Sequence, residues 1–138
     1  AEAWAQLRHA LWPDTSLENH LQDIRDTLDE DNPGTVTFIA ESSTGQSAGF
    51  AEAALRRDYV NGCSTSPVLF LEGIYISSEY RQHGVARLLC EAIANWGRKK
   101  GCTEFASDVS LENLDSQNFH AALGFEETER VIFYRKPL

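Results

Sequence analysis

The chain has 138 residues, 42% of them hydrophobic and 24% charged, with a formal net charge of −9 at neutral pH. That length and balance predict one folded domain with its own core, spanning residues 1–138, and exclude a disordered tail. No apolar run approaches the ~20 residues of a membrane span, and the acidic surplus repels nucleic acid and anionic membranes while drawing cations inward.

Residues 2–11 put Trp4, Leu7 and Leu11 on one helical face, and Trp12-Pro13-Asp14 breaks that helix. Thr15-Ser16-Leu17-Glu18 is a capping box that opens a second helix with the stripe Leu17, Leu21, Ile24 and Leu28, closed by Asn32-Pro33-Gly34. Residues 35–41 and 46–55, joined by a turn at 42–45, predict an antiparallel hairpin. A polar loop at 56–67 carries Tyr59 and Asn61-Gly62, and the mostly apolar run 68–76 is a third strand. The clearest periodicity predicts a helix over 84–100, with Val85, Leu88, Leu89, Ala92, Ile93 and Trp96 on one face. Arg98-Lys99-Lys100 suits its negative end, and Gly101 stops it. A strand at 103–110, a short helix at 112–123 closed by Gly124, and a final strand at 128–136 complete a mixed α/β sheet with helices on its faces.

The chemistry concentrates where the third strand runs into Arg81-Gln82-His83-Gly84-Val85-Ala86. A helix start leaves backbone N–H groups unpaired and carries partial positive charge, so residues 82–87 suit a phosphate or pyrophosphate, with Gly84 removing a side chain from the approach. Arg81, His83 and Arg87 supply a locally basic setting in an acidic chain. The plainer alternative is a strand-to-helix turn whose glycine only permits a tight bend. Glu72, alternating with Phe70 and Ile74, sits among apolar neighbours, where a carboxylate is costly unless paired or functional. It either grips a substrate ammonium, takes its proton, or pairs with an arginine such as Arg56 or Arg57. Gly73 beside it is a candidate bulge. Asp108, in the following strand, shares a cleft with Glu72 if the two strands are neighbours; otherwise it satisfies turn N–H groups. The loop aromatics Trp12 and Tyr59 either stack on sugar rings and ammonium groups or cover the core. Cys63, Cys90 and Cys102 are odd in number with no Cys-x-x-Cys spacing, which reads as free thiols in a reducing cytoplasm. The histidines are scattered, and no metal is expected.

The element order and Arg81-x-x-Gly84-x-Ala86 after a strand resemble the GNAT superfamily of acetyl-CoA-dependent N-acetyltransferases. Longer blocks are similar to one branch, the bacterial aminoglycoside 6′-N-acetyltransferases: Leu11-Trp12, Tyr59-Val60-Asn61-Gly62, Ser66-Pro67, Phe70-Leu71-Glu72-Gly73-Ile74-Tyr75, the run from Cys102 to Asp108, and Gly124-Phe125-x-Glu127-Thr128-Glu129. The resemblance implies a mostly antiparallel sheet with a central splayed parallel pair and helices on both faces; the family's first strand has no counterpart, since residue 1 already sits at the first helix. It implies that Gln82, His83, Gly84, Val85, Ala86 and Arg87 hold the pyrophosphate of acetyl-CoA. Ile74, Tyr75 and Ile76 would lend backbone groups to the pantetheine arm, and Asn113, otherwise a helix N-cap, would bond the cofactor. Glu72 and Asp108 are the implied catalytic pair, and Trp12, Tyr59, Glu72, Asp108 and Glu129 the implied aminoglycoside contacts. It further implies a cytoplasmic enzyme of antibiotic resistance, a homodimer, working by direct attack in a ternary complex. The acceptor alternatives are polyamines or a protein amine, and a non-catalytic acetyl-CoA sensor is the reading from another class. Where many relatives of the superfamily carry a tyrosine that protonates the leaving thiolate, this chain has His120.

Overall fold

Strands join the sheet in chain order: β1 (Thr35–Glu41), β2 (Ser47–Arg56), β3 (Val68–Ile76) and β4 (Phe105–Ala106). The first three run antiparallel, and β4 lies parallel to β3 at the sheet edge. The computed structural model describes residues 1–29 and 33–138, so the expected stop at Asn32 lies outside the described residues. The β1–β2 hairpin closes through the Ser42 N–H on the Gln46 carbonyl at 2.7 Å, with Gly45 at φ 83°.

Burial along β2 is nearly continuous from Ala48 to Ala51 because helices cover both faces of the sheet. On one face α1 (Glu2–Leu11) and α2 (Leu17–Asp29) bring Trp4, Leu7 and Ile24 against Phe50. On the other, α3 (Val85–Lys99) packs Leu89 and Ile93 onto Ala51, Ala53, Leu69 and Leu71. Gly97 lets α3 close on β3, since a Cβ there would meet Leu69 Cδ2 at 2.6 Å. The order of α1, α2, the hairpin, β3 and α3 is the one the periodicities predict.

Local details differ. The α2 line that faces the core is His20 and Ile24, at i and i+4, while Leu17 and Leu28, at the helix ends, are exposed. Ser16, not Thr15, caps α2, its Oγ accepting the Asn19 N–H at 3.1 Å. In α3 the buried line is Leu89–Ile93–Gly97, which turns Leu88 outward. The strand predicted at 103–110 shrinks to Phe105–Ala106, paired only with Leu69 and Phe70. The reason lies in β3: two residues farther on, its backbone bulges at Glu72 and bends away. The strand predicted at 128–136 does not form. Its apolar run Val131–Tyr134 is 48–90% exposed, because a strand needs an edge to pair with and β4 offers only two residues.

Candidate active site

Beyond β3 the chain makes a 3-10 turn, Ser78–Tyr80, and enters α3 through two left-handed residues, Gln82 (φ 64°) and Gly84 (φ 78°). A non-glycine residue in that region carries about 1–2 kcal/mol of strain, and the alternation turns successive amides to one side. Gly84 is the N-cap and gives no side-chain hydrogen bond; Leu88 is the first N–H to bond back, to the Gly84 carbonyl at 3.1 Å. Val85, Ala86 and Arg87 are thus the orphan donors of the helix start. No heavy atom lies within 4 Å of a Cβ built on Gly84, so the space before these amides is open. The basic setting is smaller than expected. Arg81 turns back, its Nε donating to the Ile76 carbonyl at 2.8 Å and its guanidinium lying 5.5 Å from the Tyr75 ring, where it clasps the end of β3. Arg87 Nη2 reaches the Ala122 carbonyl at 3.3 Å, and His83 is exposed. Asn113 caps α4 (Leu114–Ala122), accepting the Ser116 N–H at 3.1 Å.

The β3–β4 ladder ends at Phe70 and Ala106, so among the described residues no strand flanks Ile74, Tyr75 and Ile76 on the side away from β2. That open edge leads from Glu72 to the helix start. Glu72 is the extra residue of the bulge: Glu52 pairs with Gly73 and Ala53 with Leu71, skipping it. The phase shift separates neighbours that strict alternation would keep together. Phe70 packs on Val60 and Val68, whereas Ile74 joins the cluster beneath α3. Glu72 thus opens onto the α1–α2 face, at a cleft of about 360 Å³ whose walls include Trp4, Arg8, Asp23, Asp26 and Glu52. Its carboxylate is held by Arg56, as the plainer sequence reading allowed.

Sequence reasoning missed the cluster beside it. Glu52 Oε1 accepts the Trp4 Nε1–H at 2.8 Å and faces Arg8 Nε at 3.5 Å, with both charged side chains only 15% exposed. Burial pushes the Glu52 carboxyl above the ordinary carboxylate range, more than Arg8 and Trp4 pull it down. The available signal was a lone acid inside Ala51-Glu52-Ala53-Ala54. His20 is 2% exposed in a slot that periodicity assigns to a hydrophobe, its Nε2 3.1 Å from the Trp12 carbonyl.

Trp12 lies over Gly73, where a Cβ would meet its ring at 2.5 Å, and is wedged by the His20 ring, the Phe50 edge and the Arg8 guanidinium. It is a packed wall beside Glu72. Tyr59, by contrast, is 75% exposed. Its loop is tied to the sheet through Glu104, which accepts from the Thr65 hydroxyl and the Ser64 and Thr65 amides and whose carboxyl those bonds pull down. The same loop meets the C-terminal segment where Gly62 lies against Thr128, and Glu129, the next residue, is exposed. Asp108 is exposed and stands two residues past Ala106, as Glu72 stands two past Phe70. His120 turns inward: its Nδ1–H donates to the Ser116 carbonyl at 2.8 Å, leaving Nε2 to accept the Ser107 hydroxyl at 2.8 Å. Burial raises all three thiols, Cys90 to about 11, so none is a ready nucleophile at neutral pH. Among the described residues no group of three or more His, Cys, Asp or Glu side chains is arranged to hold a metal ion, and no helix is long and apolar enough to cross a membrane.

Comparison with known proteins identifies the family and the fold. An aminoglycoside N(6′)-acetyltransferase type 1 of Serratia marcescens is 51% identical over 99% of this chain and 92% of its own. AAC(6′)-Iy, solved in complex with the bisubstrate analogue CoA-S-monomethyl-acetylneamine, superposes with a TM-score of 0.90 at 52% identity, covering 99% of this chain and 91% of that one. The ligand-free aminoglycoside 6′-N-acetyltransferase AAC(6′)-IG of Acinetobacter haemolyticus gives a TM-score of 0.92 at 41% identity, over 99% and 92%. With the sequence model of the Acetyltransferase (GNAT) family matching residues 2–125, the splayed sheet and glycine helix start belong to a member of that family.

Proposed function

We propose that residues 1–138 act as one N-acetyltransferase domain that moves the acetyl group of acetyl-CoA to the 6′-amine of aminoglycosides, and that this acetylation confers resistance on its host. The observation that carries the reading is a succession along one strand: Glu72 raised on a bulge, an open edge at Ile74–Ile76, and an uncapped glycine helix start beyond it. The names of the relatives, and a bisubstrate analogue that joins CoA to acetylneamine in one of them, support the choice of both substrates.

In this reading the amides of Gln82, His83, Gly84, Val85, Ala86 and Arg87 hold the pyrophosphate, with Asn113 a further donor to the cofactor. The pantetheine arm lies along Ile74, Tyr75 and Ile76 as an added strand. Glu72 and Asp108 receive ammonium groups of the acceptor; Trp12 and Tyr59 bound its rings, and Glu129 is a third acid. A primary amine is mostly protonated at neutral pH, so Glu72, directly or through water, first removes its proton. The neutral nitrogen attacks the thioester carbonyl and forms the C–N bond. A backbone N–H near Tyr75 or Ile76 stabilises the tetrahedral oxyanion. Collapse breaks the C–S bond, the CoA thiolate leaves, and the second proton shed by the attacking nitrogen makes up the CoA thiol. Raised thiol pKa values favour this direct route over an acyl-cysteine. Holding donor and acceptor together supplies several kcal/mol of the rate.

The measurement is CoA release with kanamycin as acceptor. Glu72→Gln and Asp108→Asn are each expected to lose at least about tenfold in kcat/KM, the ~1.4 kcal/mol of a lost charge-assisted contact. Near-wild-type efficiency in both removes the site, and faster turnover of spermidine than of kanamycin removes the substrate.

The cytoplasm, where thiols stay reduced and acetyl-CoA is available, is the compartment we assign. A second copy of the chain is the partner assigned to the exposed apolar run Val131–Tyr134, which no strand of its own chain pairs with among the described residues. Sedimentation at micromolar concentration is expected to give twice the 15.4 kDa chain mass. A monomer there rejects the homodimer and leaves the chemistry standing.

A further inference from the structure

We infer that Arg56 is a stand-in for the acceptor's ammonium group at Glu72 and so sets how tightly the enzyme binds its cationic substrate. The inference rests on Glu72 being an acceptor-binding acid, as proposed above.

Arg56 is the last residue of β2, across from Val68 in the sheet. It does not grip Glu72 through the two-nitrogen fork in which arginine is strongest. One nitrogen, Nη2, straddles both carboxylate oxygens at 3.1 Å each. A single cationic nitrogen bridging two oxygens is the contact that an alkylammonium makes with a carboxylate. The two groups thus compete for the same place on Glu72.

The exchange is easy on both sides. The Arg56 and Glu72 side chains are 43% and 36% exposed, so water and solutes reach the pair. The guanidinium also has somewhere to remain, 3.5 Å from the centroid of the Phe70 ring, whose face attracts a cation without the carboxylate. An exposed pair of this kind shifts an equilibrium by no more than about fivefold. Arg56 therefore neutralises Glu72 in the free enzyme and yields it to a polycation anchored elsewhere in the cleft.

Steady-state kinetics on Arg56→Met test this, because methionine keeps much of the apolar stem and removes the charge. The KM for kanamycin is expected to fall about two- to fivefold at low salt, with kcat and the KM for acetyl-CoA unchanged. The gain is expected to vanish near 0.5 M NaCl, where the exposed pair is already screened. Arg56→Lys is expected to keep the wild-type KM. Combined with Glu72→Gln, the methionine change is expected to bring no gain over Glu72→Gln alone. An unchanged or higher KM in Arg56→Met overturns the inference while leaving Glu72 as an acceptor residue. A Glu72→Gln variant with wild-type KM and kcat overturns the underlying site assignment instead. Arg56→Gln makes the same comparison should thermal melting show the methionine variant to be unfolded.

Discussion

Valine at position 84 is expected to raise the KM for acetyl-CoA at least about thirtyfold and to change the KM for kanamycin far less. Two effects combine. Gly84 has φ 78°, a region where a β-branched residue is strained by about 1–2 kcal/mol, so the turn that aims the amides shifts. The new side chain also enters the open space before the first amides of α3, which an anion has to occupy. A hydrogen bond to a charged group contributes about 1.5–3 kcal/mol, and losing one near 2 kcal/mol is about thirtyfold in affinity. Gly45 supplies the matched control. It has φ 83°, also has no heavy atom within 4 Å of an added Cβ, and lies in the β1–β2 turn. Gly45→Val carries similar backbone strain with no cofactor nearby, so its acetyl-CoA KM is expected to stay at the wild-type value. Equal KM values in the two variants sink the assignment of the α3 start as the pyrophosphate site. Equilibrium dialysis with CoA separates binding from turnover.

The contrast between Gly84 and Glu72 shows which parts of the site are legible in the sequence. Everything that makes Gly84 a helix cap is within a few residues of it: the apolar strand before, the periodic helix after, and a glycine where a left-handed turn is needed. The same locality makes α1 and β3 readable to their end residues. Glu72 is different. Its bulge depends on how Glu52 and Ala53 pair across the sheet, and that bulge also cuts β4 to Phe105–Ala106. No window around residue 105 contains the cause. Glu52 meets Trp4 across 48 residues of chain, so its role is invisible to any local pattern. His20 misleads a periodic reading because an imidazole with a carbonyl partner fills an apolar slot. The run Val131–Tyr134 has strand composition, but composition does not provide an edge to pair with.

Arg8→Met is expected to lower stability by about 3 kcal/mol at neutral pH, roughly 10 °C in Tm, the largest loss among these variants. Glu52 is already reluctant to ionise: burial lifts its pKa, and Arg8 is the foremost group pulling it back. Methionine keeps much of the stem but leaves a carboxylate, 15% exposed, with the Trp4 Nε1–H as its hydrogen-bond donor. The pair itself is a poor one. Arg8 Nε stands 3.5 Å away and makes no hydrogen bond, so its attraction, though substantial, falls short of the cost of burying both charges. The double variant Arg8→Met with Glu52→Gln is therefore expected to recover most of the loss, because the glutamine carbonyl still accepts from Trp4 and no charge remains buried. The pH dependence has a definite sign. A carboxyl whose folded pKa is raised contributes stability that is fully present below its ordinary value of 4.5 and is lost as pH rises through the folded pKa. The deficit of Arg8→Met relative to the double variant should accordingly open as pH rises above about 4.5 and close again in acid. Urea denaturation of both variants from acid to neutral pH measures it. A deficit that does not vary with pH, or a double variant as unstable as the single, shows that Arg8 acts by packing against Trp12 and not by neutralising Glu52.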